Sequence, residues 1–421
     1  PWLLYIYFVA FNFTMNLDNN ESGERNMNYI IFSGRIDIRK GGPSGYIANL
    51  SEGLKKIKSQ ETVKIISENS NTTFSKSKTS LSKFKSVLGK NSYLLEKFVE
   101  KKLIDFRDIS IRNQLNNIKF TNEDLVHVHS VMDFNMLKQY NLKSKVILTP
   151  HTPESVADEY LELIRKDYNN PNIKLKKFIK KVKIIEKKAF EQCKYFIFPS
   201  IESMEIYGAF IENFNELMRS KKVYFNLTGS APLTFKLDRN QFREKYNIPK
   251  NAFVISYVGR HNKIKGFDIL KKVAEEIYKI DPSIIFVCAG TGPIKLDGPN
   301  VLEIGWTDDP GSIINASDLF ILPNRNTYFD LILLEVLSLG IPVLASKTGG
   351  NKTIGKLTNG VRLFESENIY EIISSINELR QNKENLMKMG KENRECYNKQ
   401  FTLDKFAARY LYILEKIKND E

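Results

Sequence analysis

Two cations, Arg260 and Lys265, stand in the segment GRHNKIKG (259–266), directly after the apolar run FVISYV and just before a helical pattern that opens at Gly266. Paired positive charges beside the free N–H groups of a helix start suit a diphosphate. An exposed basic turn is the commoner meaning of such a motif in isolation, but its place at the end of a strand favours the anion site. The next strand ends in AGTGP (289–293), where Gly290 and Gly292 would let a ligand ring approach the backbone closely. Glu335, within LILLEVLSLG, is either a solvated helix-surface carboxylate or a bidentate acceptor for a ribose diol. The four histidines, His127, His129, His151 and His261, all fall in or beside such segments. His127 and His129 read as satisfied core or surface residues. His151, in a Thr-Pro-His-Thr-Pro turn at a strand's carboxyl end, is the candidate for a direct chemical role.

These residues need a frame that brings strand ends together. Short β-rich runs alternate with helical patterns throughout: YIIFS, TVKIIS, LVHVHS, KVILT, YFIFPS and KVYFN in the first half, then FVISYV, IIFVCAG, LFILPN, PVLAS and GVRLF in the second. That alternation predicts successive βαβ units and parallel sheets, whose ligands lie at the carboxyl ends of the strands. At 421 residues and 42% hydrophobic content the chain is too long for one ordinary core. The expected fold class is therefore α/β, with two doubly wound Rossmann-like domains facing a central cleft. The boundaries read as an extension at 1–27 outside the fold, a first domain at 28–230, a second at 231–400, and a closing helix at 401–421. WLLYIYFVAFNF (2–13) is too short to span a bilayer, with a short interfacial anchor as the alternative. Residues 68–90 are rich in Ser, Asn, Thr and Lys and read as a flexible excursion.

Three cysteines with no metal-ligand spacing suggest a reduced, cytoplasmic protein. A net charge of +14 and a pI near 9.3 call for an acidic partner: nucleic acid, an anionic membrane or a phosphorylated substrate. The chain carries no zinc knuckle, RNP-type aromatic motif or recognition-helix signature, so no nucleic-acid partner is expected.

The order GRxxxxKG, GxGP, a strand ending in Pro, a helix bearing Glu, and GIPVLASKTGG resembles the donor domain of family 4 retaining glycosyltransferases of GT-B fold, of the kind that build bacterial surface polysaccharides. The first half is similar as well, in GGPSGYIANLSEGLKK, HVHS, LTPHTPES and EKKAFEQCKYFIFPS, and FTLDKFAARYLYILEKI resembles the family's helix that crosses back to the N-terminal domain. The resemblance implies a nucleotide-diphosphate sugar as donor, a uridine one by expectation, and a glycan or lipid-linked glycan as acceptor, with no metal and no cofactor. Arg260 and Lys265 would hold the diphosphate, Glu335 the ribose hydroxyls, and His151 would contact the transferred sugar. Gly41 and Gly42 would close over the phosphates. Bottom-up chemistry agrees, because two fixed cations can stabilise a leaving diphosphate without a metal. Asp308-Asp309 reads as a helix N-cap region and not as a metal-binding Asp-x-Asp.

The family's usual carboxylate eight residues before Glu335 is here Thr327, followed by Tyr328, Phe329 and, where Gly or Pro is expected, Asp330. Either the Thr327 hydroxyl or Asp330 takes over, or the donor sugar is recognised differently, or transfer is impaired. The backbone N–H groups of Phe329 to Leu331, at a helix start, suit the diphosphate whatever the side chains. A catalytically degenerate GT-B protein that binds a glycan or a partner is the rival reading. On the acceptor side, LKKFIKKVKIIEKKAF (175–190) is a basic amphipathic helix. It is either an ordinary surface helix or, over 174–188, a contact with the anionic inner face of the cell membrane.

Overall fold

The computed structural model describes residues 27–37, 41–68, 91–140 and 142–420. The extension at 1–26, most of the Ser/Asn/Thr/Lys-rich stretch and part of the loop before Gly41 lie outside the described residues.

Among the described residues, twelve strands form two six-stranded sheets, and every pairing is parallel. The first holds β1 (Asn28–Phe32), β2 (Val63–Ser67), β3 (Leu125–Val128), β4 (Lys145–Leu148), β5 (Tyr195–Phe198) and β6 (Lys222–Phe225), in the order β2-β1-β3-β4-β5-β6. The second holds β7 (Phe253–Val258), β8 (Ile284–Ala289), β9 (Val301–Gly305), β10 (Leu319–Leu322), β11 (Val343–Ser346) and β12 (Val361–Phe364), in the order β12-β11-β10-β7-β8-β9. Helices cover both faces of a parallel sheet, so its central strands are apolar without alternation. LVHV in β3 and LFIL in β10 are buried at every position. Sequence order reverses between β1 and β3 in one sheet and between β7 and β10 in the other, and an open α/β sheet leaves a crevice at such a point.

Strand β9, VLEIG, is not among the sequence-predicted strands. It is an edge strand, half-buried at all five positions, and lacks the apolar run that marks its neighbours. Helix α1 (Gly42–Lys56) starts earlier than the patterning from Tyr46 suggests, because Pro43 in its first turn needs no N–H partner there.

The lobes are joined at two levels. Helix α7 (Leu403–Lys418) returns from the second lobe to lie along α1, with Phe406, Ala407, Tyr410 and Leu414 packed among Tyr46, Leu50, Leu54, Ile30 and Ile197. A Cβ on Gly53 would sit 2.3 Å from Leu403 O, so only glycine permits this approach. Lys145 Nζ donates to the carbonyls of Ile417 and Lys418, both at 3.0 Å, which satisfies the end of α7. Nearer the cleft, Thr353 of α6 (Gly349–Leu357) donates to Glu202 Oε2 at 2.7 Å, and Lys356 pairs with the same carboxylate.

Candidate active site

In the second lobe, the loops after β7 and β10 meet at the switch point. Arg325 N donates to Ile264 O at 2.9 Å, and the Arg325 guanidinium holds both oxygens of Asp268, at 2.6 and 2.8 Å. Gly266 has φ +65°, and a Cβ there would lie 1.7 Å from Pro323 O. Glycine is therefore what allows the two loops to close together. Helix α4 (Phe267–Ile280) starts at this point.

Lys265 Nζ donates to Asp330 Oδ1 at 2.6 Å, with both side chains largely buried, and Asn324 Nδ2 holds the other oxygen of Asp330. Burial would raise the Asp330 pKa, yet the charge and hydrogen bond of Lys265, helped by Asn324, keep it below the ordinary carboxylate value. The Thr327 hydroxyl also favours the Asp330 anion, although it makes no hydrogen bond within the usual geometric limits and is sealed from water. Asp330 stands at the N-cap of α5 (Leu331–Leu339) but does not cap it, because its carboxylate is engaged sideways by Lys265. One turn along, Glu335 is half-buried with no hydrogen-bond partner for its carboxylate among the described residues, and burial pushes its pKa up to about 7. Such an acid is poised to be ionised by hydroxyl donors that arrive with a ligand.

Arg260 is exposed and has no ion-pair partner among the described residues. Its charge is nevertheless felt by Glu154 and Glu159 on the opposite lobe, so it faces the cleft. Burial, then the neighbouring Glu162, Glu159 and Asp158, push Glu154 up to about 7. Glu154 and Glu159 flank the start of α2 (Val156–Asp167). The sequence shows them only as an acidic helix start, and their relation to Arg260 depends on how the lobes face each other.

Gly290 and Gly292 are each constrained by protein packing. A Cβ on Gly290 would lie 1.8 Å from Gly259 O, and one on Gly292 would lie 2.2 Å from His261 O. Packing of the β8 loop against the β7 turn accounts for both glycines, with no need for a ligand ring. His261 is fully buried and stacked on Phe267 with centroids 3.7 Å apart, and burial lowers its pKa. Gly41 and Gly42, at the start of α1, have open space where a Cβ would point, and Gly42 has φ +64°. Asp309 caps the helix that follows it and Asp308 pairs with Lys236. Among the described residues no group of three or more His, Cys, Asp or Glu is arranged to hold a metal.

In the first lobe, His127 is a satisfied core residue between Tyr410 (3.0 Å) and Thr149 (2.8 Å). His129 is fully buried as well, with its Nδ1 3.0 Å from His151 Nε2 and its own Nε2 without a partner among the described residues. Burial holds both His127 and His151 down to about 3, so these rings are neutral at physiological pH. The His151 ring packs edge-on to Tyr46 and to Tyr328 of the opposite lobe, at 5.0 and 5.8 Å. Asn326 donates across the cleft to Pro153 O, and Ser203 Oγ donates to Tyr328 O at 2.7 Å. The 326–330 loop and the 151–154 turn thus form one surface.

Residues 238–396 match the model for glycosyl transferases group 1. That match falls wholly within the second lobe. Among curated relatives, N-acetyl-alpha-D-glucosaminyl L-malate synthase of Bacillus anthracis is 23% identical over 199 residues, which cover 44% of this chain and 51% of the relative. The UDP-Gal:alpha-D-GlcNAc-diphosphoundecaprenol alpha-1,3-galactosyltransferase of Escherichia coli is 27% identical over 156 residues, covering 33% of this chain and 40% of the relative. The chain thus spans about half or less of the length of these relatives. Among solved structures, sucrose-phosphate synthase from Thermosynechococcus elongatus superposes with a TM-score of 0.64 at 16% identity, over 93% of this chain and 99% of the other. That likeness extends over both lobes of the chain, and the fold is GT-B.

Proposed function

We propose that the chain is a retaining, metal-independent hexosyltransferase. It would move a sugar from a uridine-diphosphate donor to a glycan carried on a polyprenyl diphosphate, at the cytoplasmic face of the membrane, in surface-polysaccharide synthesis. The observation that carries this reading is the contact of His151 with Tyr328, beside Lys265, Asp330 and Arg260. It brings an imidazole of one lobe against the loops of the other that would bind the anion. When the sugar–phosphate bond breaks, its electron pair leaves on the diphosphate. Arg260, Lys265 and the amides at the start of α5 are suited to stabilise that charge, and an acceptor hydroxyl would bond to the sugar carbon from the face the diphosphate leaves, passing its proton to the departing phosphate oxygen. Glu335 would accept the ribose hydroxyls. Retention of configuration and the uridine base rest on the motif order and on the activity for which the Escherichia coli relative is named.

The acceptor side is supported by α3 (Lys176–Gln192). One face buries Phe178, Val182, Ile185 and Phe190, as an ordinary surface helix would. The other face, with Ile179 and Ile184 among Lys176, Lys180, Lys183 and Lys187, joins Leu161 of α2 and Lys174 in lining an open groove of about 460 Å³. Lysines around the exposed Ile184 and the half-buried Ile179 suit an anionic bilayer, at about 1 kcal/mol for each well-placed lysine.

The test is a screen of nucleotide sugars by thermal shift, followed by product NMR with and without EDTA. Stabilisation by a uridine diphosphate sugar, slow donor hydrolysis and an unchanged anomeric configuration are expected; inversion, or loss of turnover with EDTA, overturns the mechanism stated. One observation favours a second reading, a non-catalytic GT-B binder: Thr327 stands where a carboxylate is expected, and Asp330 occupies Lys265. That reading is right if no nucleotide sugar stabilises or is consumed.

A further inference from the structure

The imidazoles behind the cleft carry a readable proton pattern. Thr149 Oγ1 donates its one proton to Ile197 O at 2.7 Å, so it accepts at its 2.8 Å contact with His127 Nε2. His127 therefore holds its proton on Nε2, and its Nδ1 accepts from the Tyr410 hydroxyl. The next contact, His129 Nδ1 to His151 Nε2 at 3.0 Å, contains one proton shared between two neutral rings. Were it on His151, His129 would keep its own proton on Nε2, an atom sealed from water and without a partner. With the proton on His129 Nδ1, only a bare lone pair is left there. A buried donor lacking an acceptor is the rarer and costlier defect. His151 Nδ1 makes no hydrogen bond among the described residues and is not among the atoms sealed from water.

We infer that His129 is a positioning residue that fixes His151 as its Nδ1–H tautomer, so that His151 offers the cleft a hydrogen-bond donor and not a base. The ligand atom it would meet is an oxygen acceptor, a hydroxyl of the transferred sugar, which rests on the transferase reading; the tautomer itself does not. Proton transfer to His151 is then no part of the reaction, and its role is to orient the sugar.

Long-range 1H–15N spectra of the full chain, with the His151 signals identified by their loss in His151→Gln, read the tautomer directly. The expected parent spectrum shows a protonated-type Nδ1 and a bare Nε2; a protonated Nε2 overturns the inference. In His129→Phe, which keeps a buried ring, His151 is expected to redistribute between tautomers. Turnover should fall at least 10-fold with the donor KM little changed, and His129→Gln, whose amide can donate to His151 Nε2, should restore part of it. An unshifted His151 tautomer in a folded His129→Phe protein also overturns the inference. If that variant does not fold, the parent spectrum decides. If no sugar nucleotide is turned over, the transferase reading fails while the tautomer assignment is still read from the same spectra.

Discussion

Lys265 is claimed by a carboxylate before any ligand arrives. Its 2.6 Å contact with Asp330 is buried, so an incoming diphosphate must compete with a fixed internal anion. Asp330→Asn is therefore expected to bind uridine diphosphate several-fold more tightly in calorimetry. The same change should unfold more easily, because it removes one partner of a buried pair, at a cost of about 3 kcal/mol. Arg260→Ala and Lys265→Ala should each weaken the nucleotide by about 2 kcal/mol, the worth of a hydrogen bond to a charged group. Equal binding by either variant and the parent would remove that cation from the site. Glu335 supplies the pH dependence. Its folded pKa of about 7 lies above the ordinary 4.5, so the folded state holds the extra proton between those values. Its contribution to stability therefore falls as pH rises through that window. Binding of a diol to the ionised form follows the opposite sign, strengthening as pH rises through about 7. Glu154 shares that range, so the slope should be measured in parent and in Glu335→Gln, where the Glu335 part of it disappears.

At the scale of elements, the turn between β7 and α4 is held by one backbone conformation. Gly266→Ala places a side chain in the left-handed region and against Pro323 O, and should destabilise the protein by about 2 kcal/mol or more. The same variant should lose nucleotide binding, since Lys265 is the preceding residue; unaltered binding and melting would sink the account of this turn. Most elements were legible because parallel strands covered on both faces leave unbroken apolar runs such as YFIF and LFIL, punctuated by Gly, Pro or His. Edge strand β9 was not, for it lacks such a run. Arg260, Lys265 and Glu335 were legible by type and by placement after strands. Glu154 and Asn326 were not, because each acquires its partner only through the facing of two loops far apart in sequence, and the His129 contact with His151 depends on how two rings turn at the ends of the neighbouring strands β3 and β4. Gly290 and Gly292 were legible as constrained positions, but the constraint is another loop.

At the scale of the whole molecule, α7 is a wall of the first lobe built from the far end of the sequence. Phe406 is fully buried against Tyr46, which in turn packs on His151. Phe406→Ala should cost about 3–5 kcal/mol in urea unfolding. It should also lower turnover although it lies outside the cleft, and a purely local effect would leave turnover unchanged.

Tyr410, whose hydroxyl donates to His127 Nδ1, belongs to this same helix. During translation residues 28–225 leave the ribosome long before residues 403–418 exist. Until those last turns emerge, the nascent lobe exposes Tyr46, Leu50 and Leu54 and holds His127 without its phenol. A growing chain of this protein should therefore need chaperone shelter, and its imidazole row should stay disarmed until the closing helix docks.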